Sequence, residues 1–436
     1  MKNDRPNKLE CLTRKILDGK VVPFLGAGIS NDTETPKSNF NPTASALTEC
    51  LAESLKSLLG PHLPQFIGNM LSDDEYKSDI DKRFINAGLS RIAELHFQVA
   101  GEEKTYEAMK IKNMGELFPS PDHFYIAYII LEGCIEEVIT TNYDCCLEKA
   151  LFRANCENKT PLVIRELHEY QCGGVPFYID DFQPPTNLIE KENDKKRLNV
   201  RIHKINGCIQ KFIQTHGRHI NKKCEKHKLI LTEAQLQNWR HDWAREMFRD
   251  RLRTRTILFS GFGSEEPQIR HTMLEVLREF EQEDYFVNNK HSRSVTYGRS
   301  PINMPYIAVY DALSFPQHQI LYSAGKALDS SNTFNDSSND ERIKGIMNLR
   351  AEYAFTMDDT QQFLDIAPYP KGIIYKACGH PEKNSSDNLD KNLFWAVLYL
   401  SVVRGTEGQV RCPGKEKQGI KVIRSFKLES MRRFCY

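Results

Sequence analysis

Short apolar runs that end at glycine or at polar residues constrain the fold of this chain more than any other feature of its sequence. Runs of this length are typical of strands that are buried in a parallel sheet. Six of them are predicted to be strands: VVPFLG from Val21, EEVITT ending at Thr141, PLVIREL from Pro161, the alternating LNVRIHKI from Leu198, RTILFS ending at Ser260 and PYIAVY from Pro305.

Segments of helical periodicity separate most of these runs. Leucines recur at helical spacing at Leu47, Leu51, Leu55 and Leu58, and the segment after the run ending at Ser260 shows the same pattern. Strand and helix in repeated alternation predict an α/β fold on a doubly wound, Rossmann-like parallel sheet. In such a sheet ligands bind beyond the carboxyl ends of the strands, so a site is expected at the glycine-rich strand ends.

The length of 436 residues suits one large domain and a smaller unit. We expect residues 1–327 to form the α/β domain, with a helical insertion at about 39–133. The stretch 328–342 is polar and rich in Ser, Asn and Asp, which is typical of a linker. Residues 343–436 would then form a C-terminal unit for oligomerisation or partner contact.

Charge and cysteine content exclude some classes of function. The 59 basic and 58 acidic residues give a formal net charge of +1, so no overall attraction to nucleic acid or to a membrane surface is predicted. The 12 cysteines include no C-x-x-C pair, and the charged start MKNDRPNKLE does not resemble a secretory leader, which favours a cytoplasmic location. The most apolar stretch, 393–403, is shorter than the roughly 20 residues that span a bilayer and is predicted to be a buried helix.

The sequence FLGAGIS places two glycines at the end of the first predicted strand. Gly26 and Gly28 would let backbone N–H groups approach a pyrophosphate closely. The usual dinucleotide fingerprint has a third glycine where Asn31 stands. Taken alone, this motif is as consistent with a tight turn as with a phosphate-binding loop.

The sequence TTNYD follows the second predicted strand. Asp144 is placed to cap the next helix, and Asn142 is placed to form the turn. An amide at a strand end can also hold a water molecule or a ribose hydroxyl, because it carries both a donor and an acceptor. Asn142 is therefore also a candidate catalytic residue.

The sequence SGFGSEEP follows the predicted strand ending at Ser260. Ser264 is predicted to cap the next helix, with Glu265 and Glu266 in the first turn, where the helix dipole favours carboxylates. Gly261 and Gly263 precede this cap and allow close contact with a cofactor. The segment is therefore predicted both to start a helix and to contact a cofactor.

In their order, the three motifs resemble the sirtuin family, in its bacterial defence-associated branch, over roughly residues 16–310. The matching stretches are GAGIS, TTNYD, LILTEAQ from Leu229 and SGFGSEEP. The resemblance implies that NAD is the substrate and that Asn142 and Asp144 lie near the nicotinamide ribose. It also implies that the NAD site includes Gly26, Ala27, Gly28, Ser30, Thr141, Gly207, Gly261, Phe262, Gly263 and Ser264.

The sequence departs from the family pattern where that pattern has a His-Gly pair at a strand end. RIHKINGCI has Asn206 and Gly207 there, and the nearest histidine is His203. Asparagine takes up no proton at neutral pH, whereas histidine titrates there. His203 would need a bulge or an early strand end to reach the same ligand, because strand residues three apart point to opposite faces. Catalysis by His203 and ribose binding by Asn206 both stay open.

The resemblance implies that the chain hydrolyses NAD to nicotinamide and ADP-ribose in an antiphage response that depletes NAD. Such an enzyme stabilises positive charge at the ribose and positions a water molecule, and Asp144 is placed to help electrostatically. A homo-oligomer and a partner chain, a HerA-like ATPase, are expected. Two alternatives stay open: a scaffold that binds NAD or ADP-ribose without turnover, and a nuclease-like role for which no carboxylate metal site is evident.

No metal is expected from this sequence. The four-cysteine zinc module of protein-deacetylating sirtuins needs C-x-x-C pairs, which are absent. His216, His219, Cys224 and His227 lie close together, but their spacing matches no standard metal site. A solvated basic loop is the simpler interpretation of that segment.

Overall fold

A computed structural model describes residues 8–31, 33, 40, 42–62, 87–158, 162–169, 176–179, 198–216, 229–238, 243–263, 266–289, 304–309, 313–328, 338–356 and 394–407. One sheet contains the strands β1 (Val21–Leu25), β2 (Glu137–Thr140), β3 (Leu162–Glu169), β4 (Pro176–Ile179), β5 (Leu198–Lys204), β6 (Thr256–Ser260), β7 (Tyr306–Ala308) and β8 (Ala354–Phe355). Their order is β4-β3-β5-β2-β1-β6-β7-β8, and every neighbouring pair is parallel except β3 and β4.

Helices in the described part of the chain connect and cover these strands. They are α1 (Lys8–Leu17), α2 (Ala44–Leu59), α3 (Leu89–Ala100), α4 (Glu102–Ala108), α5 (Ile111–Met114), α6 (Pro121–Leu131), α7 (Cys146–Asn158), α8 (Ile209–His216), α9 (Glu233–Asn238), α10 (Trp243–Thr254), α11 (Pro267–Asn289), α12 (Phe315–Leu328), α13 (Asn339–Tyr353) and α14 (Phe394–Glu407). Short 3-10 helices cover Ala27–Ser30 and Gly60–His62.

The predicted α/β, doubly wound parallel sheet is confirmed, and all six predicted runs are strands of it. Two further strands extend its edges. β4 has four residues and β8 has two, so neither is long enough to show a pattern that distinguishes it from a loop.

The central strand β1 is buried along its whole length. It pairs with β6 from Val21 to Leu25, but with β2 only from Phe24 onward. Pro23 has no N–H to donate, and the late start of the β2 pairing lets the strand tolerate it. Since the chain runs from β1 to β2 on one side and later to β6 on the other, the topological switch lies at β1.

Alternating side chains of the strands divide the core between two faces. Val21 and Leu25 pack into one cluster with apolar residues of α1, α6, α7 and α14. Val22 and Phe24 pack into a second cluster with residues of α10, α11 and α12. The sheet is therefore covered by helices on both faces, as a parallel sheet requires.

The expected helical insertion at 39–133 contains helices α2 to α6 in its described part. Helices α2 to α5 form a third apolar cluster, which also includes Cys145 and Cys208 from the loops after β2 and β5. Helix α6 instead packs in the sheet core with α1 and α14. The part of the insertion that covers the strand ends is thus α2 to α5, and α6 belongs to the main layer.

Two described elements of the expected C-terminal unit lie in the same core as the rest. β8 pairs with β7, and Trp395 of α14 is fully buried and donates its indole N–H to Ser260 Oγ at 2.9 Å. The linker expected at 328–342 ends earlier than predicted, because Ser338 caps α13 through Glu341. The role of this unit in oligomerisation stays a prediction.

The described part of the stretch 393–403 forms most of α14 and packs in the core, as predicted. Among the described helices, none combines the length and the apolar character that crossing a bilayer requires.

Candidate functional site

Four neighbouring strands, β5, β2, β1 and β6, end at the same edge of the sheet. The loops that follow them contain residues 206–207, 141–144, 26–30 and 261–263, respectively. The fold therefore brings the candidate residues of four separate stretches of sequence to the edge where doubly wound sheets bind ligands.

The loops after β1 and β6 touch through backbone atoms. The Gly28 N–H donates to Gly261 O at 2.8 Å, and a Cβ added at Gly26 would lie 2.6 Å from that same oxygen. Gly261 has a φ of +62°, and a Cβ there would lie 2.3 Å from the Ile29 nitrogen. Packing between the loops therefore requires these glycines, and their contact with a pyrophosphate stays a prediction.

A hydrogen-bonded network joins the loops after β1 and β2. The Ser30 hydroxyl donates to Asp144 Oδ2 at 2.9 Å, and Asn142 Nδ2 donates to Ser30 Oγ at 3.2 Å. Asp144 Oδ1 accepts the Cys146 backbone N–H at 2.9 Å at the start of α7. Asp144 is therefore a helix cap, as its structural interpretation predicted, and it also fixes Ser30 beside Asn142.

His123, which no motif above includes, extends this network. Its Nδ1 accepts the Ser120 backbone N–H at 3.2 Å, and its Nε2 lies 3.5 Å from Ser30 Oγ. Burial lowers the pKa of His123 to about 4, so the ring is neutral at physiological pH. The sequence feature that could have drawn attention to His123 is the nearby Ser120-Pro121 pair, which is typical of a helix start.

Lys204, at the end of β5, connects the sheet to the loop after β2. Its side chain is fully enclosed, donates to the backbone oxygen of Asp144, and forms an ion pair with Glu148 Oε1 at 3.0 Å. Burial by itself would raise the pKa of Asp144, but His123, Lys204 and hydrogen bonds from Cys146 and Ser30 lower it below its usual value. Asp144 is therefore an anion at neutral pH.

Glu266 lies beside Asn206, which stands where the resemblance predicts a histidine. Asn206 Nδ2 donates to Glu266 Oε2 at 3.4 Å, and Gln268 Nε2 donates to the same oxygen at 2.9 Å. The side chain of Thr141 also hydrogen-bonds to this carboxylate. Burial raises the pKa of Glu266 to about 7, against the effect of these hydrogen bonds.

Three buried amide oxygens at this edge have no hydrogen-bond partner among the described residues: Asn142 Oδ1, Asn206 Oδ1 and Gln268 Oε1. A buried acceptor without a donor costs about 1–3 kcal/mol, so native structures rarely keep one without a reason. A ligand that carries hydroxyl or amino donors would satisfy these oxygens, and the riboses of a dinucleotide carry such hydroxyls.

Residues 136–303 match the SIR2-like domain. The matched segment contains Asn142, Asn206 and Glu266, whereas the loop after β1 precedes it. No curated protein matches the chain. SIR2-like domains bind NAD, so this match supports the resemblance to the sirtuin-like family and an NAD-related enzymatic function.

His203, the histidine nearest to Asn206 and Gly207, has its described hydrogen-bond partner on β2. Its Nε2 lies 2.5 Å from Glu137 Oε1, and Arg251 Nε donates to Glu137 Oε2 at 2.7 Å. Its Nδ1 has no hydrogen-bond partner among the residues described. Burial lowers the pKa of His203 despite the adjacent Glu137, so the neutral ring is favoured. A catalytic role for His203 stays a prediction.

The other described residues that the resemblance predicts to contact NAD lie in the loops after β1, β5 and β6. Ala27 begins the 3-10 helix after β1, and Gly207 has a φ of +100° in the turn after β5. Phe262 packs its ring against Phe24 at a centroid distance of 4.9 Å, in the sheet core. Gly263 O accepts a hydrogen bond from the Ser314 hydroxyl. Ser264 lies outside the described residues.

One buried group of potential metal ligands lies in this region. His123, Asp144 and Cys146 place their ligand atoms within 4.8 Å of one another. Burial keeps the pKa of the Cys146 thiol well above its usual value, which opposes thiolate formation. Of the histidine and cysteine segment considered as a metal site, His219, Cys224 and His227 lie outside the described residues.

Proposed function

We propose that this chain is an antiphage-defence NAD hydrolase, which cleaves the nicotinamide–ribose bond of NAD and releases nicotinamide and ADP-ribose. The observation that carries the proposal is the set of buried amide oxygens on Asn142, Asn206 and Gln268, which lack partners among the described residues. They line the strand ends of a SIR2-like domain, where ribose hydroxyls would supply the missing donors.

The side chains at this edge fit a dinucleotide. Asn142 is oriented through its amide nitrogen by Ser30, which leaves its oxygen to hold a ribose hydroxyl or the attacking water. Asp144 supplies a fixed negative charge near a ribose that becomes positive as the bond breaks. NAD itself supplies a cationic pyridinium, from which nicotinamide leaves as a neutral group.

Depletion of NAD is the proposed biological effect, and it implies that the activity of the enzyme is inhibited until infection. We propose a homo-oligomer and a HerA-like ATPase chain as the partners of this enzyme. The motif order GAGIS, TTNYD and SGFGSEEP supports this part of the proposal through its resemblance to the defence-associated sirtuins.

Replacement of Asn142 by alanine is expected to reduce NAD cleavage by about 100- to 1000-fold, which is the usual effect of removing one preorganised polar group from an active site. The substitution removes the oriented amide and leaves the apolar core intact. The measurement is the release of nicotinamide and ADP-ribose by the purified chain, with and without the proposed HerA-like ATPase.

Asn348→Ala is a matched control, because it removes an exposed amide from α13. It should leave cleavage unchanged. Equal cleavage by the wild-type chain and Asn142→Ala would contradict the proposed role of the amide oxygens.

A second candidate function is a scaffold that binds NAD or ADP-ribose without turnover, which the replacement of the family histidine by Asn206 favours. Titration calorimetry with ADP-ribose distinguishes the two. Tight binding without cleavage under any condition would support the scaffold and exclude the hydrolase.

A further inference from the structure

Glu266 contacts Asn206, the residue that stands where the family pattern has a histidine. It precedes α11, and both Asn206 and Gln268 donate to one of its carboxylate oxygens. Asn206 stands where the family pattern has its general base, and its amide group takes up no proton at neutral pH. A titratable group is therefore absent at position 206 but is present in direct contact with it.

We infer that Glu266 is the proton acceptor of this site and that Asn206 and Gln268 position its carboxylate. This inference rests on the proposed function. In the reaction, the water oxygen forms a bond to the ribose carbon while the bond between that carbon and nicotinamide breaks. The bonding electron pair leaves with nicotinamide, and the water proton passes to Glu266 and then to solvent.

The hydrogen bonds leave Glu266 with capacity to accept this proton. The described contacts from Asn206 and Gln268 both reach Oε2, and neither donor carries a charge. Hydrogen bonds from neutral donors lower the pKa of a carboxylate, but an adjacent Arg or Lys adds the attraction of a full charge and lowers it further. No cation is among the described groups that shift its pKa.

Burial raises the pKa of Glu266 to about 7, which is the range in which a general base is most effective at neutral pH. Among the described residues, Tyr143 is the titratable group whose pKa the Glu266 charge shifts. Burial and that charge raise the pKa of Tyr143 above its usual range, so the phenol stays neutral. Thr141, Asn206 and Gln268 do not titrate. The acid limb of the pH profile should therefore belong to Glu266.

The test compares the wild-type chain with Glu266→Gln, which preserves shape and removes the basic carboxylate. Cleavage of NAD should fall by about 100- to 10,000-fold, the usual contribution of a general base. The wild-type rate should decline as the pH falls through about 7, and this limb should be lost in the variant. Binding of ADP-ribose, measured by calorimetry, should change little.

Two further variants sharpen the result. Glu275→Gln removes a carboxylate of α11 that pairs with Arg245, and it should retain full cleavage. The double variant Asn206→His/Glu266→Gln restores the family histidine and should regain cleavage, with an acid limb near the ordinary histidine pKa of about 6.5.

A readout that needs no substrate is the carboxyl titration of the ligand-free chain labelled with ¹³C-glutamate. One carboxyl carbon should titrate near pH 7 in the wild-type chain and be missing in Glu266→Gln. Full cleavage by Glu266→Gln with an unchanged pH profile would overturn the inference and leave the proposed function intact. Absence of cleavage by the wild-type chain would overturn both.

Discussion

Replacement of Lys204 by methionine should lower the free energy of unfolding by about 3–5 kcal/mol, the usual cost of removing one partner from a buried ion pair. Lys204 is only 1% exposed, and the substitution would leave the enclosed carboxylate of Glu148 without its cation. It would also remove the donor to the Asp144 backbone oxygen. Urea unfolding followed by circular dichroism measures the loss.

The double variant Lys204→Met/Glu148→Met is the matched control. Replacement of both partners by apolar side chains of similar size is often close to neutral, so most of the stability should return. NAD cleavage should not return with it, because the loop with Asn142 and Asp144 still lacks its donor from β5. A single variant as stable as the wild-type chain would contradict the structural role of the pair.

Gly261→Ala should lower the free energy of unfolding by about 2–5 kcal/mol, the sum of left-handed backbone strain and steric overlap. The new Cβ would lie 2.3 Å from the Ile29 nitrogen and 2.9 Å from the Gly28 carbonyl carbon. Relief of this overlap requires the loops after β1 and β6 to separate, so NAD cleavage should fall as well. Thermal unfolding and nicotinamide release together measure both effects.

Gly19 provides a control for backbone strain alone. Its φ of +66° is close to that of Gly261, and nothing lies within 4 Å of a Cβ built there. Gly19→Ala should therefore cost only about 1–2 kcal/mol and leave cleavage unchanged. Equal losses in the two variants would show that contact between the loops contributes nothing.

The strands that carry the site were predictable because each is a local pattern. The runs that became β1, β2 and β6 are largely apolar, and the run that became β5 alternates. All four end at glycine or at polar residues, so their ends located the candidate loops. The contact between those loops was not predictable. It joins Gly28 to Gly261, which are distant in sequence, and only the strand order brings them together.

The same limit applies to the chemistry of the site. Glu266 has the local features of a residue at a helix start, and the sequence predicts only that role for it. Its contact with Asn206 spans 60 positions, and that of His123 with Ser30 spans 93. His203 is the opposite case, a residue that the sequence offers as a catalytic candidate. The structure gives this buried histidine a structural partner, Glu137 on the neighbouring strand, which periodicity does not reveal.

Helix α14 changes where the boundary of this domain should be drawn. The family match ends at residue 303, yet the face of the sheet beneath α1 and α6 is closed by a helix that begins at Phe394. A fragment that stopped at 303 would lack Trp395 and leave the Ser260 hydroxyl, immediately before Gly261, without its indole donor. The family match therefore marks only part of the folding unit, and the smallest portion able to fold must extend to the last described helix, which completes the interior.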